Sequence, residues 1–117
     1  MDSQTRENLL KCGVNLDVTL ERFMGSEDLL FKFLKKFLND DNYKKLVKSI
    51  EEKEFEQAFS YAHTLKGVSA NLGLDNLNFS TQKMVEKFRA KDYTDYDGML
   101  KDITEHYNTA IEVIKQL

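Results

Sequence analysis

His63 is one of two histidines in this 117-residue chain, and the residues that follow it are of the types a phosphoryl carrier needs. It stands in the run Ala62-His63-Thr64-Leu65-Lys66-Gly67-Val68-Ser69-Ala70-Asn71-Leu72-Gly73. On a helix, residues three and four apart share a face, so Lys66 and Gly67 lie one turn from His63. A neutral imidazole has one ring nitrogen with a free lone pair, able to attack phosphorus. The group it then carries needs a nearby positive charge and an open approach for a bulky partner. Lys66 offers the charge as a compact ammonium. Gly67 offers the approach: a glycine inside a helix costs about 1 kcal/mol relative to alanine, and on an exposed face packing does not account for it. The same pattern also fits a plain solvated helix, where a lone histidine and a lysine three residues on are both common.

The helix must turn these residues outward. At about 100° per residue, Phe55, Ala58, Phe59, Ala62, Leu65, Ser69 and Leu72 form one apolar stripe. His63 falls about 115–120° from the centre of that stripe, on the flank or outside. Gly67 is farther out, and Ala70 is the next small residue on the same side. Thr64, Gly67 and Ala70 are therefore the expected partner-docking positions around His63.

The run His63-x-Leu65-Lys66-Gly67 followed by Gly73 resembles the signature of histidine-containing phosphotransfer (HPt) domains. These belong to bacterial multistep phosphorelays and to their plant and fungal counterparts. Leu20, Phe23 and Gly25, followed by Leu30-x-x-x-Leu34-x-x-Phe37, resemble the family's upstream segments, and Asp75 and Leu77 resemble the start of its next helix. The resemblance runs from about Val14 to the end of the chain. It implies that His63 accepts and donates the phosphoryl group, that Lys66 lies near the phosphate and that Gly67 keeps the approach open. Gly73 would end the helix or permit close packing. The implied partners are receiver domains of a hybrid sensor kinase or a response regulator, which would bring the acceptor aspartate and the Mg²⁺. One departure is visible. Many relatives carry a glutamine on the following helix, and the gap-free counterpart here is Val85, with Gln82 a turn earlier and Glu86 beside it.

Other chemistries are disfavoured. There is no Gly-rich phosphate loop and no cluster of acids to hold Mg²⁺, so the expectation is a phosphocarrier without kinase activity or a cofactor of its own. Two histidines with no His-Glu-x-x-His spacing give no metal site. Cys12 has neither a basic cluster nor a histidine beside it and reads as a packing residue. His106 lies about 90° off the stripe of the last helix, a boundary position with no expected role. Acids and bases are interspersed around a net charge of −3, which leaves no basic stripe for nucleic acid. No apolar run reaches the ~18 residues of a membrane span, and the polar N-terminus is unlike a signal peptide, so the cytoplasm is the expected compartment. Two other functions fit the same residues: the phosphorylatable P1-like domain of a chemotaxis-type histidine kinase, and a helical interaction module that never carries phosphate. The stem of a dimeric histidine kinase fits less well, because Thr64 rather than an acid follows His63.

Strand patterns are nearly absent and proline is missing altogether, so the fold class is all-α. The length suits one domain, residues 1–117. Two short helices occupy about 1–25, the first ending at Gly13, the second capped by Asp17 and stopped by Gly25. An antiparallel up-down-up-down four-helix bundle follows over about 26–117, and a completed core of that kind favours a monomer. Ser26 caps its first helix, whose apolar residues from Leu29 to Leu38 span about 200° of the wheel. That helix kinks or restarts at Asn39-Asp40-Asp41-Asn42, and the resemblance favours one long, bent helix. The motif helix runs from Glu54 to Leu72, Asp75 caps the next one to about Lys91, and a last helix reaches the C-terminus.

Overall fold

A computed structural model describes all residues, 1–117, and they form seven helices with no strand. In chain order these are α1 (Ser3–Lys11), α2 (Leu16–Arg22), α3 (Glu27–Phe37), α4 (Asn42–Glu51), α5 (Phe55–Asn71), α6 (Asp75–Arg89) and α7 (Asp97–Lys115). The expected all-α bundle is present. α4, α5, α6 and α7 pack against one another in sequence order, and α3 lies beside α7 and the C-terminal half of α5.

The first member of the bundle is two helices, not one bent helix. α3 stops at Phe37, and the Asp40 carboxylate accepts hydrogen bonds from the backbone and side-chain N–H groups of Asn42, at 2.9 Å each. A side chain that offers the backbone such a local partner competes with the helical ladder. The two pieces still continue one line along α5: Phe33 and Phe37 face Val68 and Leu72, while Lys45 and Ser49 face Tyr61 and Gln57. The broad apolar face of α3 is divided accordingly. Leu30, Leu34 and Phe37 are buried, and Phe33 and Leu38 remain exposed.

Two caps differ from expectation. Asn15, not Asp17, caps α2, its side chain accepting from the Val18 N–H. Asp75 is the first residue of α6 rather than its cap, and Leu74 at the cap position makes no side-chain bond. Ser26 caps α3 as its sequence position suggests, accepting from the Leu29 N–H at 3.1 Å.

The core draws on every helix: Leu9, Leu16, Leu30, Leu46, Leu65, Met84 and Ile103 are all buried. Cys12 belongs to it, and burial pushes its thiol up to about 11. At one end of the bundle Phe55, Phe88, Tyr93 and Tyr96 pack ring against ring and hold the α6–α7 connection onto the start of α5. No helix is long and apolar enough to cross a membrane.

Candidate functional site

Small residues set α5 close to its neighbours. Ala58, Ala62 and Ser69 are buried along with Leu65, so α4 and α6 approach the α5 backbone directly. The turn between His63 and Gly67 is held firmly from beneath. The Lys66 carbonyl accepts from the Asn78 side-chain amide of α6 at 2.9 Å and from the Ser69 hydroxyl at 3.0 Å. The Asn78 bond ties this turn of α5 to α6, and the Ser69 bond lies within α5 itself.

The side chains that face out are the ones the wheel predicts. His63, Thr64 and Gly67 are exposed, whereas Lys66 and Ala70 are partly buried. His63 makes no hydrogen bond and no ion pair. Its ring rests near that of Phe59, with centroids 6.0 Å apart and planes at 50°. A Cβ built on Gly67 meets nothing within 4 Å, so packing leaves room for alanine and the glycine keeps the helix backbone uncovered. The Thr64 hydroxyl donates back to the Ser60 carbonyl at 3.1 Å, which occupies its proton within the helix.

Gly73 does both things its position allows. Its φ is +75°, a left-handed conformation, and the helix ends there in a Schellman arrangement: the Leu74 N–H bonds the Ser69 carbonyl and the Gly73 N–H bonds the Ala70 carbonyl. It is also a close approach, because a Cβ at Gly73 would collide with the buried Thr19 side chain of α2.

The neighbouring α6 offers the histidine no helper hydrogen bond. Val85, the counterpart of the family's glutamine, is fully buried, and the Gln82 amide is turned onto Glu86 at 3.2 Å. Two contacts with arginines escape sequence reasoning. The Arg89 guanidinium of α6 lies over Phe59, 5.7 Å from its centroid, so that one phenyl ring neighbours both Arg89 and His63. At the far end, Arg22 of α2 donates to the Ala70 carbonyl at 2.7 Å and bounds the open stretch there. Neither has a local signal: the first depends on the antiparallel register of α5 with α6, the second on how α2 packs across the α5–α6 turn.

Lys66, Arg89 and Arg22 thus follow the edge of α5 that carries His63, and none is paired with a carboxylate. The ion pairs of the molecule join the Met1 amine to Glu27, Lys45 to Asp41 and Lys87 to Asp92. Nowhere do histidine, cysteine, aspartate and glutamate gather in threes as metal ligands.

The site is an exposed, unpartnered imidazole on a braced helix, with a cation and an uncovered backbone one turn away. Residues 32–115 match the family model described as Hpt domain, a range that includes the whole motif from His63 to Gly73. No curated protein and no solved structure gave a match.

Proposed function

The chain belongs to the Hpt domain family, whose members perform histidine phosphotransfer in phosphorelays, and we propose that His63 is its phosphoryl-carrying residue. In this reading the protein takes the group from the aspartate of one receiver domain and passes it to the aspartate of another. The observation that carries it is the exposed His63 ring, free of any intramolecular bond, one turn from a Gly67 at which even a methyl group would meet nothing.

The lone-pair nitrogen of His63 attacks the phosphorus of the donor's aspartyl phosphate. The N–P bond forms as the P–O bond to the carboxylate breaks, and the carboxylate leaves with the electron pair. The reverse step delivers the group to an acceptor carboxylate. Catalysis of such a transfer is mostly positioning and neutralisation of the equatorial oxygens. Lys66 neutralises from the side of this chain, and the hydrogen bonds on its carbonyl hold its turn of helix in place. In this reading Mg²⁺ and the carboxylates that hold it belong to the receiver, as the resemblance to the family implies. The protein is then a carrier between two partners that use the same face in turn.

The test is labelling. Incubated with Mg²⁺ and receiver domains charged by acetyl phosphate, the protein gains acid-labile, base-stable phosphate, and His63→Gln gains none while keeping its helical spectrum. A folded wild type that takes no label from any of several donors would instead make the chain an interaction module that carries no phosphate.

A further inference from the structure

Arg22 lies outside the residues matched to the family, yet it reaches the face that carries His63. It is the last residue of α2, and its guanidinium bonds the Ala70 carbonyl at 2.7 Å. Ala70 is seven residues beyond His63, about 10 Å along the helix axis at 1.5 Å per residue. One reason for the contact is structural. α5 has no basic residue of its own in its last turn, and Arg22 places a cation at the negative pole of that helix.

Capping does not exhaust the side chain. A guanidinium has five N–H donors in a planar fork, and Arg22 has a single protein acceptor. It is exposed and has no carboxylate partner, although Glu21 precedes it in the chain and Asp17 lies on the same helix. The contact with Ala70 holds the fork still, so little side-chain entropy remains to be lost when a second acceptor arrives. Two residues on, Met24 is 85% exposed with a φ of +56°, a left-handed conformation uncommon for a residue other than glycine, and no other part of the molecule covers it. A methionine adapts its shape to an apolar surface more readily than other side chains do.

We propose that Arg22 and Met24 form a second docking contact for the receiver domain, Arg22 binding a carboxylate at the rim of the receiver's active site and Met24 packing against the apolar surface beside it. This rests on His63 being the phosphoryl carrier. The partner's chemistry argues for it: a receiver brings an acceptor aspartate and the acids that hold Mg²⁺, so the surface it lays against α5 is rich in carboxylates. The edge of α5 answers with Arg89, Lys66 and Arg22, all left without a carboxylate in a molecule whose net charge is −3. Charges at the rim of an interface set encounter rate and register more than they set the chemical step. Arg22 is accordingly a positioning and specificity residue.

The experiment is single-turnover transfer from an acetyl-phosphate-charged receiver, the fastest donor of a panel, measured against receiver concentration. Neutralising a rim charge is expected to raise the half-saturating concentration about threefold in Arg22→Gln, and reversing it about tenfold in Arg22→Glu, at low salt. The maximal rate stays at the wild-type value, both defects shrink in 0.5 M salt, and Met24→Ala gives a further rise that salt does not relieve. Arg22→Gln removes the charge without adding an opposite one, so it carries the test if Arg22→Glu melts early. A half-saturating concentration within twofold of wild type in a folded Arg22→Gln and in Met24→Ala would leave Arg22 as a helix cap only. If the wild type itself takes no label, it is the phosphocarrier reading that falls.

Discussion

The two histidines of this protein differ in almost everything except the side chain. His63 is exposed, makes no hydrogen bond, and has Lys66 and Gly67 one turn ahead. His106 is partly buried between α6 and α7, with Nδ1 3.0 Å from the Ser80 hydroxyl oxygen. That hydroxyl also lies 3.2 Å from the Asn76 and Leu77 carbonyls, so it ties the ring of α7 to the backbone of α6. The other ring nitrogen of His106 makes no hydrogen bond, so each of the two rings has an unengaged nitrogen. A nucleophilic nitrogen is not what separates the two sites. Their surroundings are: one turn behind the partly buried His106 stands Asp102, and Glu105 precedes it, so a phosphoryl group there would meet negative charge.

The largest effect expected from this contrast is all-or-none. His63→Gln abolishes labelling, while His106→Gln retains the full stoichiometry. Residual acid-labile label on a folded His63→Gln protein, lost again on adding His106→Gln, would break the comparison and make the second histidine an acceptor.

Gly67 comes next, because it tests the approach rather than the nucleophile. Its surroundings are open, so Gly67→Ala should raise stability by about 0.5–1 kcal/mol through helix propensity alone. Gly67→Leu should fold equally well yet weaken receiver docking about tenfold or more, by placing a bulky side chain at the centre of the interface. Equal receiver affinity for Gly67→Leu and wild type in a titration would show that the partner avoids this turn of α5. A smaller effect is expected at Lys66. Removing one charge that faces the transferring group should slow transfer at saturating receiver about tenfold in Lys66→Ala, with the melting temperature unchanged. If transfer keeps its wild-type rate, Lys66 serves only as solvated helix surface.

Much of this site was legible in the sequence because it depends on helical periodicity, a local property. The apolar stripe from Phe55 to Leu72 fixes the outward flank, and His63 and Gly67 are found on it. Gly13, Gly25 and Gly73 mark helix ends, and all three have positive φ. The misreadings lie where two local signals compete. Asn15 and Asp17 are both competent caps two residues apart, and the Asn/Asp run at 39–42 could bend a helix or end it. What could not be read is the set of contacts made by long, flexible cations across helices. Arg89 reaches Phe59 and Arg22 reaches Ala70 only once the register of the bundle is known, since nothing in the neighbouring residues tells such side chains where to go.

The smallest predicted effect returns to His106. Its bond to Ser80 joins α6 to α7, and a neutral hydrogen bond of this kind contributes about 1 kcal/mol. His106→Ala should lower stability to urea by about that much, leaving transfer through His63 at the wild-type rate. The single substitution also removes packing, so the bond itself is read from a double-mutant cycle with Ser80→Ala. Ser80 loses its carbonyl contacts as well, but those vanish identically with or without His106 and cancel in the cycle. A coupling energy of about 1 kcal/mol would identify His106 as a histidine held by the fold, the counterpart of one left free by it. A coupling near zero would mean that His106 is set apart from His63 by the acids and packing around it, and not by the bond to Ser80.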